Sequence, residues 1–221
     1  MLLLAIDTSG KFGSIALAKC DPDGGCTTIE VVPLQGGTFS AQLIPQIAAL
    51  LQKHGFTKRD INGFAVASGP GSFTGLRVGL SAVKALAEIL NKPIAAVSLL
   101  EAVADEARNY RVFAALDAGR SEAYIGEYEN GELSGSPEQL LTREEFCAAA
   151  HGKTVLTPDE ELARVTRAAG IQTEVIKRPS SDVIACIGWR KLRNGKTTSP
   201  EDLEANYIRR SDAEIFSKVT P

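Results

Sequence analysis

The chain has 221 residues, 44% hydrophobic and 23% charged, with a net charge of −3. That length accommodates one large domain or two small ones and buries enough surface to need no disulfide or metal staple. The acidic balance excludes a protein that grips nucleic acid alone through a broad basic surface.

The first residues, MLLLAIDTSG, carry no basic region and meet Asp7 almost at once, so they read as a buried strand rather than a signal peptide. No apolar run is long enough to span a bilayer, and the expected location is the cytoplasm. A strand over Leu2–Ile6 and a second over Gly13–Lys19 predict a hairpin whose turn carries Asp7, Thr8, Ser9 and Lys11. DPDGG, Asp21 to Gly25, is a turn before a third strand over Thr27–Pro33. The four cysteines, Cys20, Cys26, Cys147 and Cys186, lack CxxC or other metal-ligand spacing and are expected as small buried or surface thiols.

Leu43, Ile47, Leu50 and His54, flanked by Ile44, Ala48 and Leu51, predict a helix over 40–54 that Gly55 ends. Its apolar arc is wider than one buried face requires. A strand over Phe64–Ser68 enters SGPGSFTGLRVGLSAVKAL, which opens a helix over 75–90. Gly69, Gly71 and Gly75 there either cradle a phosphate at the helix N-terminus or form a tight turn with Ser72 or Thr74 as N-cap. No Lys-Ser/Thr follows, so the block is not a Walker A loop. Gly75, Gly79, Ala82 and Leu86 share one helical face. Glycine inside a helix costs about 0.5–1 kcal/mol against alanine, so this face receives another backbone, from this chain or from another subunit.

A strand over Ile94–Val97 and a helix over Leu99–Asn109 follow; then the opening recurs, with Leu116-Asp117-Ala118-Gly119 echoing Ile6-Asp7-Thr8-Ser9 before a strand over Glu122–Tyr128. The echo predicts two related α/β lobes, residues 1–108 and 109–221. Helices are expected over 142–150, 159–169 and 180–193, the last with the only Trp, Trp189. Tyr207 and Arg209 in the tail reach either a partner or their own lobe.

AIDTS (Ala5–Ser9), the glycine block (Ser68–Ala87), LDAGRSEAY (Leu116–Tyr124) and NYIRR (Asn206–Arg210) resemble the bacterial TsaB (YeaZ) family of tRNA threonylcarbamoyladenosine biosynthesis. The resemblance covers most of the chain and extends to the paralogous TsaD enzymes. It implies a two-lobed actin-like, ribonuclease H-like α/β fold with mixed sheets and a reduced second lobe. The turns at Asp7-Thr8-Ser9 and Asp117 would be that fold's phosphate loops, with Gly69 and Gly71 nearby. Asp7 would either hold a Mg-bound water or cap its own turn, and Asp117 would either play the same part or pair with Arg120.

TsaD-like enzymes bind metal through a histidine pair in a segment like NHLEAH. Here Leu99 and Val103 stand at those positions, and aliphatic side chains cannot ligate a metal. The resemblance therefore implies a non-catalytic subunit without metal or catalytic residues. Such a subunit would pair with TsaD through two first-lobe helices, at Leu43, Ile47, Leu50, Gly75, Gly79, Ala82 and Leu86. TsaE, an ATPase, would bind that pair, tRNA would be reached only through the complex, and the chain alone would form a homodimer. Whether ATP or ADP binds at an interface shared with those partners stays open, as does the rival reading, a small ATP-dependent kinase or ATPase of the same fold. The chain departs from many relatives at Phe39, where they carry histidine, and at Ala205, where they carry proline.

Overall fold

The structure, a computed structural model, describes residues 1–22 and 24–208. The first sheet is built from β1 (Leu2–Asp7), β2 (Phe12–Cys20), β3 (Cys26–Gln35), β4 (Gly63–Gly69) and β5 (Ile94–Ser98). Their spatial order is β3-β2-β1-β4-β5. β1 pairs antiparallel with β2, the product of the short first turn, and parallel with β4. A parallel neighbour needs a crossover, here through α1 (Phe39–Lys53).

β1 is an unbroken apolar run because both sheet faces are covered. Leu2, Leu4 and Ile6 pack under α1 and α2 (Phe73–Leu90). Leu3 and Ala5 point the other way, into a cluster with Ile184, Ala185, Ile187 and Trp189. Those four lie on the last described helix, which is numbered below in chain order.

The second sheet is joined to the first by α3 (Leu99–Ala104) and a short 3-10 turn over Asp105–Ala107, which breaks the single helix expected over 99–109. Its strands are β6 (Arg111–Gly119), β7 (Glu122–Glu129), β8 (Glu132–Leu133), β9 (Gln139–Thr142), β10 (Val155–Thr157) and β11 (Thr173–Val175), in the order β11-β10-β6-β7-β8 with β9 also on β7. β6–β7 is a hairpin like β1–β2, and Asp7 and Asp117 sit at the ends of β1 and β6. α4 (Arg143–Ala150) and α5 (Glu160–Ala168) cover one face through Phe146, Ala150 and Leu162. α3 covers the other through Leu100, Val103 and Ala104. This is the expected two-lobed mixed α/β architecture.

Two features differ from expectation. α6 (Ser181–Arg193) lies beyond the second sheet in sequence but packs across β1 to β5 of the first. The first lobe thus takes its second covering layer from residues placed by sequence in 109–221. The approach is tight: a Cβ at Gly188 would lie 2.4 Å from Ala65 Cβ. Cys20 and Cys26, expected as thiols, face each other across the β2–β3 hairpin and form a disulfide with Cα atoms 4.1 Å apart. Register across the Asp21–Gly25 turn sets that pairing, while Cys147 and Cys186 are free.

Candidate functional site

The β1–β2 turn is enclosed by its own chain. Asp7 Oδ1 accepts from the Ser9 amide at 2.8 Å and the Ser9 hydroxyl at 2.5 Å. Thr8 Oγ1 donates to Gly75 O at 2.8 Å and accepts from the Gly79 amide at 3.1 Å. The Ser72 amide donates to Ser9 O at 2.6 Å. The helix glycines exist to admit this turn: a Cβ would lie 2.1 Å from Thr8 O at Gly75, 2.5 Å from Thr8 Oγ1 at Gly79, and 2.5 Å from Ser9 O at Gly71. Ser72 is the N-cap, accepting from the Gly75 amide at 3.3 Å. Burial pushes the Asp7 carboxyl above its ordinary value, against the opposing pull of the Ser9 bonds and the charge of Arg178.

A cleft of about 780 Å³ opens between the lobes, lined by Ser9, Lys11, Gly71, Leu99, Asp117 and Arg178 among others. Asp117 is 3.8 Å from Arg143 Nη2, and its amide donates to Asp159 Oδ2 at 2.8 Å. Arg178 also pairs with Asp159. The structure thus gathers Ser9, Gly71 and Asp117 at the cleft, puts Asp7 and Thr8 beneath it, and turns Gly69 toward the tail, where a Cβ would lie 3.0 Å from Asn206 O. At the first turn the chain fills part of the expected cradle itself: Ser9 donates to Asp7, and the Thr8 and Ser9 carbonyls take up the space left by Gly75 and Gly71. At the positions of the TsaD-like histidines, Leu99 borders the cleft and Val103 is fully buried among apolar neighbours.

The residues expected at a partner interface divide. Leu43, Ile47 and Leu50 point into the core beneath the first sheet, and Gly75 and Gly79 face Thr8. Ile47, Leu50, Gly75 and Gly79 are corrected to internal packing, since their helical face is the one that meets the sheet, whereas Leu43 packs inward and also borders the groove between the two helices. Ala82 and Leu86 are half-buried at its margin. The outward face belongs to other residues: Ile44 is 52% exposed, Phe73 41% and Ile89 75%. Between α1 and α2 runs a groove of about 500 Å³ lined by Ile44, Leu43, Phe73, Arg77, Val78 and Ala82 among others. Phe73 and Arg77 were not singled out by periodicity; the inward stripe, once fixed, would have exposed them by subtraction.

The tail, expected on a partner or on its own lobe, crosses instead to the first lobe. The Asn206 amide donates to Ser68 O at 2.7 Å. Tyr207 packs on Phe73 with ring centroids 4.9 Å apart, and its hydroxyl accepts from Arg77 Nε at 3.2 Å. Arg209 lies outside the described residues.

Comparison with known proteins follows this geometry. A family model described as TsaD, tRNA N6-adenosine threonylcarbamoyltransferase, matches residues 31–153. The tRNA threonylcarbamoyladenosine biosynthesis protein TsaB of Bacillus subtilis (strain 168) is 36% identical, covering 86% of this chain and 79% of that protein. The protein of the same name from Escherichia coli (strain K12) is 30% identical with 96% of each chain covered. The chain belongs to the TsaB family. The solved structure of YeaZ from Pseudomonas aeruginosa, at 25% identity, superposes with a TM-score of 0.76 over 93% of this chain and 99% of that one. Among the described residues of this TsaB-family chain, no helix is long and apolar enough to cross a membrane.

Proposed function

We propose that this chain serves tRNA threonylcarbamoyladenosine biosynthesis as a non-catalytic subunit that docks on a TsaD-family transferase and supports it. The observation that carries the reading is the groove between α1 and α2: an apolar channel flanked by exposed Ile44 and Phe73 on two long helices. Exposed apolar surface of this kind, rimmed by polar residues, marks a protein interface. The TsaD model matches across α1 and α2, so a TsaD companion would bring a related helix pair to meet this one. The enclosed first turn supports the non-catalytic part, since its donors already bind the chain's own carboxylate and helix. TsaE would join that pair, tRNA would be met through the assembly in the cytoplasm, and the same groove would pair two copies when the companion is absent.

Size-exclusion chromatography with light scattering tests this on the chain alone and mixed with the TsaD protein of the same organism. Ile44→Arg places a charge on the outward face without touching the core. Wild type should form a heterodimer and the variant should not; a wild-type chain that ignores TsaD sinks the reading. Gly79→Arg is no substitute, because it would collide with Thr8 and disturb the fold.

A second reading, nucleotide binding by the chain itself, draws on the interlobe cleft with Lys11 and Arg178 on its walls. It requires saturable Mg–ATP binding in calorimetry that Arg178→Ala weakens.

A further inference from the structure

We propose that Glu138 is a latch on the C-terminal tail: through Asn206 it fixes Tyr207 against Phe73 and Arg77, two residues that wall the α1–α2 groove, so that the second lobe helps to shape the first lobe's docking face. The proposal rests on reading that groove as the companion's seat.

Glu138 stands between β8 and β9, in the second lobe. One of its oxygens, Oε1, accepts from the Ser98 hydroxyl and from the Tyr128 hydroxyl; the other, Oε2, accepts from the Asn206 side-chain amide. Its three partners come from the junction of β5 and α3, from β7, and from the tail. A single carboxylate thereby joins both lobes and the segment that returns to α2. Its placement is also guarded by the backbone, because a Cβ at Gly126 would crowd Glu138 Cγ at 3.3 Å.

On either side of Asn206 the tail is held by packing, with Ala205 on the first-lobe core and Ile208 against the α3 cluster, so the Glu138 bond is the polar tie that fixes its course between them. The Asn206 backbone leans on Ser68 O and on the space left by Gly69, which adopts φ +119°. The next residue, Tyr207, touches Phe73 and Arg77, and both of these line the groove. Arg77 lies over the Phe73 ring with its guanidinium carbon 3.7 Å from the centroid while giving Nε to Tyr207. Tyr207 and Phe73 are each 41% exposed, so the tyrosine supports the phenylalanine and still leaves it open. An incoming apolar helix would meet a Phe73 ring and an Arg77 guanidinium both held by Tyr207. If the tail were released, it would meet an unsupported ring and a freed arginine.

The test uses the full chain in five forms: wild type, Glu138→Gln, Asn206→Asp, the double variant and Tyr207→Ala. Hydrogen exchange at Asn206–Ile208 reads the latch, and titration calorimetry with the TsaD companion reads the face. Asn206→Asp opposes two carboxylates and should speed tail exchange at least tenfold while weakening affinity about tenfold. Adding Glu138→Gln gives back a donor facing a carboxylate and should recover both, a rescue that general damage to the fold would not show. Tyr207→Ala should lose the affinity and keep Asn206 protected. An Asn206→Asp chain with a freed tail and wild-type affinity overturns the proposal, as does a double variant that recovers nothing. If wild type does not bind the companion at all, the docking reading falls and takes the affinity claim with it, while the exchange rescue still decides whether Glu138 holds the tail.

Discussion

At the scale of single residues, the glycines of α2 are explained by one close neighbour each. Helix propensity alone would favour alanine at Gly75 by about 1 kcal/mol. Against that, the new Cβ would sit 2.1 Å from a backbone oxygen that cannot rotate away, and overpacking of this kind costs about 1–3 kcal/mol or more. Gly75→Ala should therefore lower stability in urea unfolding by about 2 kcal/mol, and Gly79→Ala by less, because there the obstacle is a side-chain hydroxyl. Asp7 yields a prediction of opposite sense. Its carboxyl is raised from 3.8 by burial, so its contribution is present in full below that pH and is lost as pH rises through the higher folded value. Asp7→Asn keeps an oxygen for Ser9 and has no charge to bury. At neutral pH the variant should be at least as stable as wild type, with a flatter dependence in urea melts from pH 3.5 upward. An essential Mg-binding aspartate would still lose ATP binding in the same variant.

At the scale of elements, the Asp7 and Asp117 hairpins and the helices around the glycine block were legible, because period and turn chemistry are local. What decides the destination of a face is not local. The stripe of Leu43, Ile47 and Leu50 is plain in the sequence, yet the same stripe serves a core or a partner, and only the position of the first sheet turns it inward. β10 and β11 have three residues each, too few for a period to register. The Cys20–Cys26 pairing was within reach, since strands flanking a short turn bring such residues opposite one another. Glu138 carried no signal, because one glutamate in a polar loop looks like any other until three donors converge on it. α6 shows the same limit. Its apolar face fits either lobe, and Gly188 against Ala65 shows which one it meets. Gly188→Leu should force the helix off the sheet and cost about 3 kcal/mol in thermal or urea unfolding.

At the scale of the whole molecule, the lobes are interleaved rather than strung in sequence. α6 is held to α3 by the Lys191–Glu101 pair at 2.6 Å and to the 3-10 turn that follows α3 by Arg190 with Asp105. Burial raises the Glu101 carboxyl even with Lys191 beside it. A fragment of residues 1–108 would leave Leu3, Ala5, Ala65 and Val97 without their cover. It should show no cooperative transition when melted and followed by circular dichroism, whereas the full chain should melt cooperatively.

That interleaving also sets an order of events during synthesis. β1 leaves the ribosome long before the helix that finishes its sheet. At about 5–20 residues per second, one side of the sheet waits on the order of ten seconds for its cover. The side that waits is rich in alanine, at Ala5, Ala16, Ala18, Ala65 and Ala67 with Leu3 and Val97 among them, while most of the sheet's leucines and isoleucines lie toward helices made early. A nascent chain so arranged offers its less adhesive surface during the interval when nothing can yet shield it.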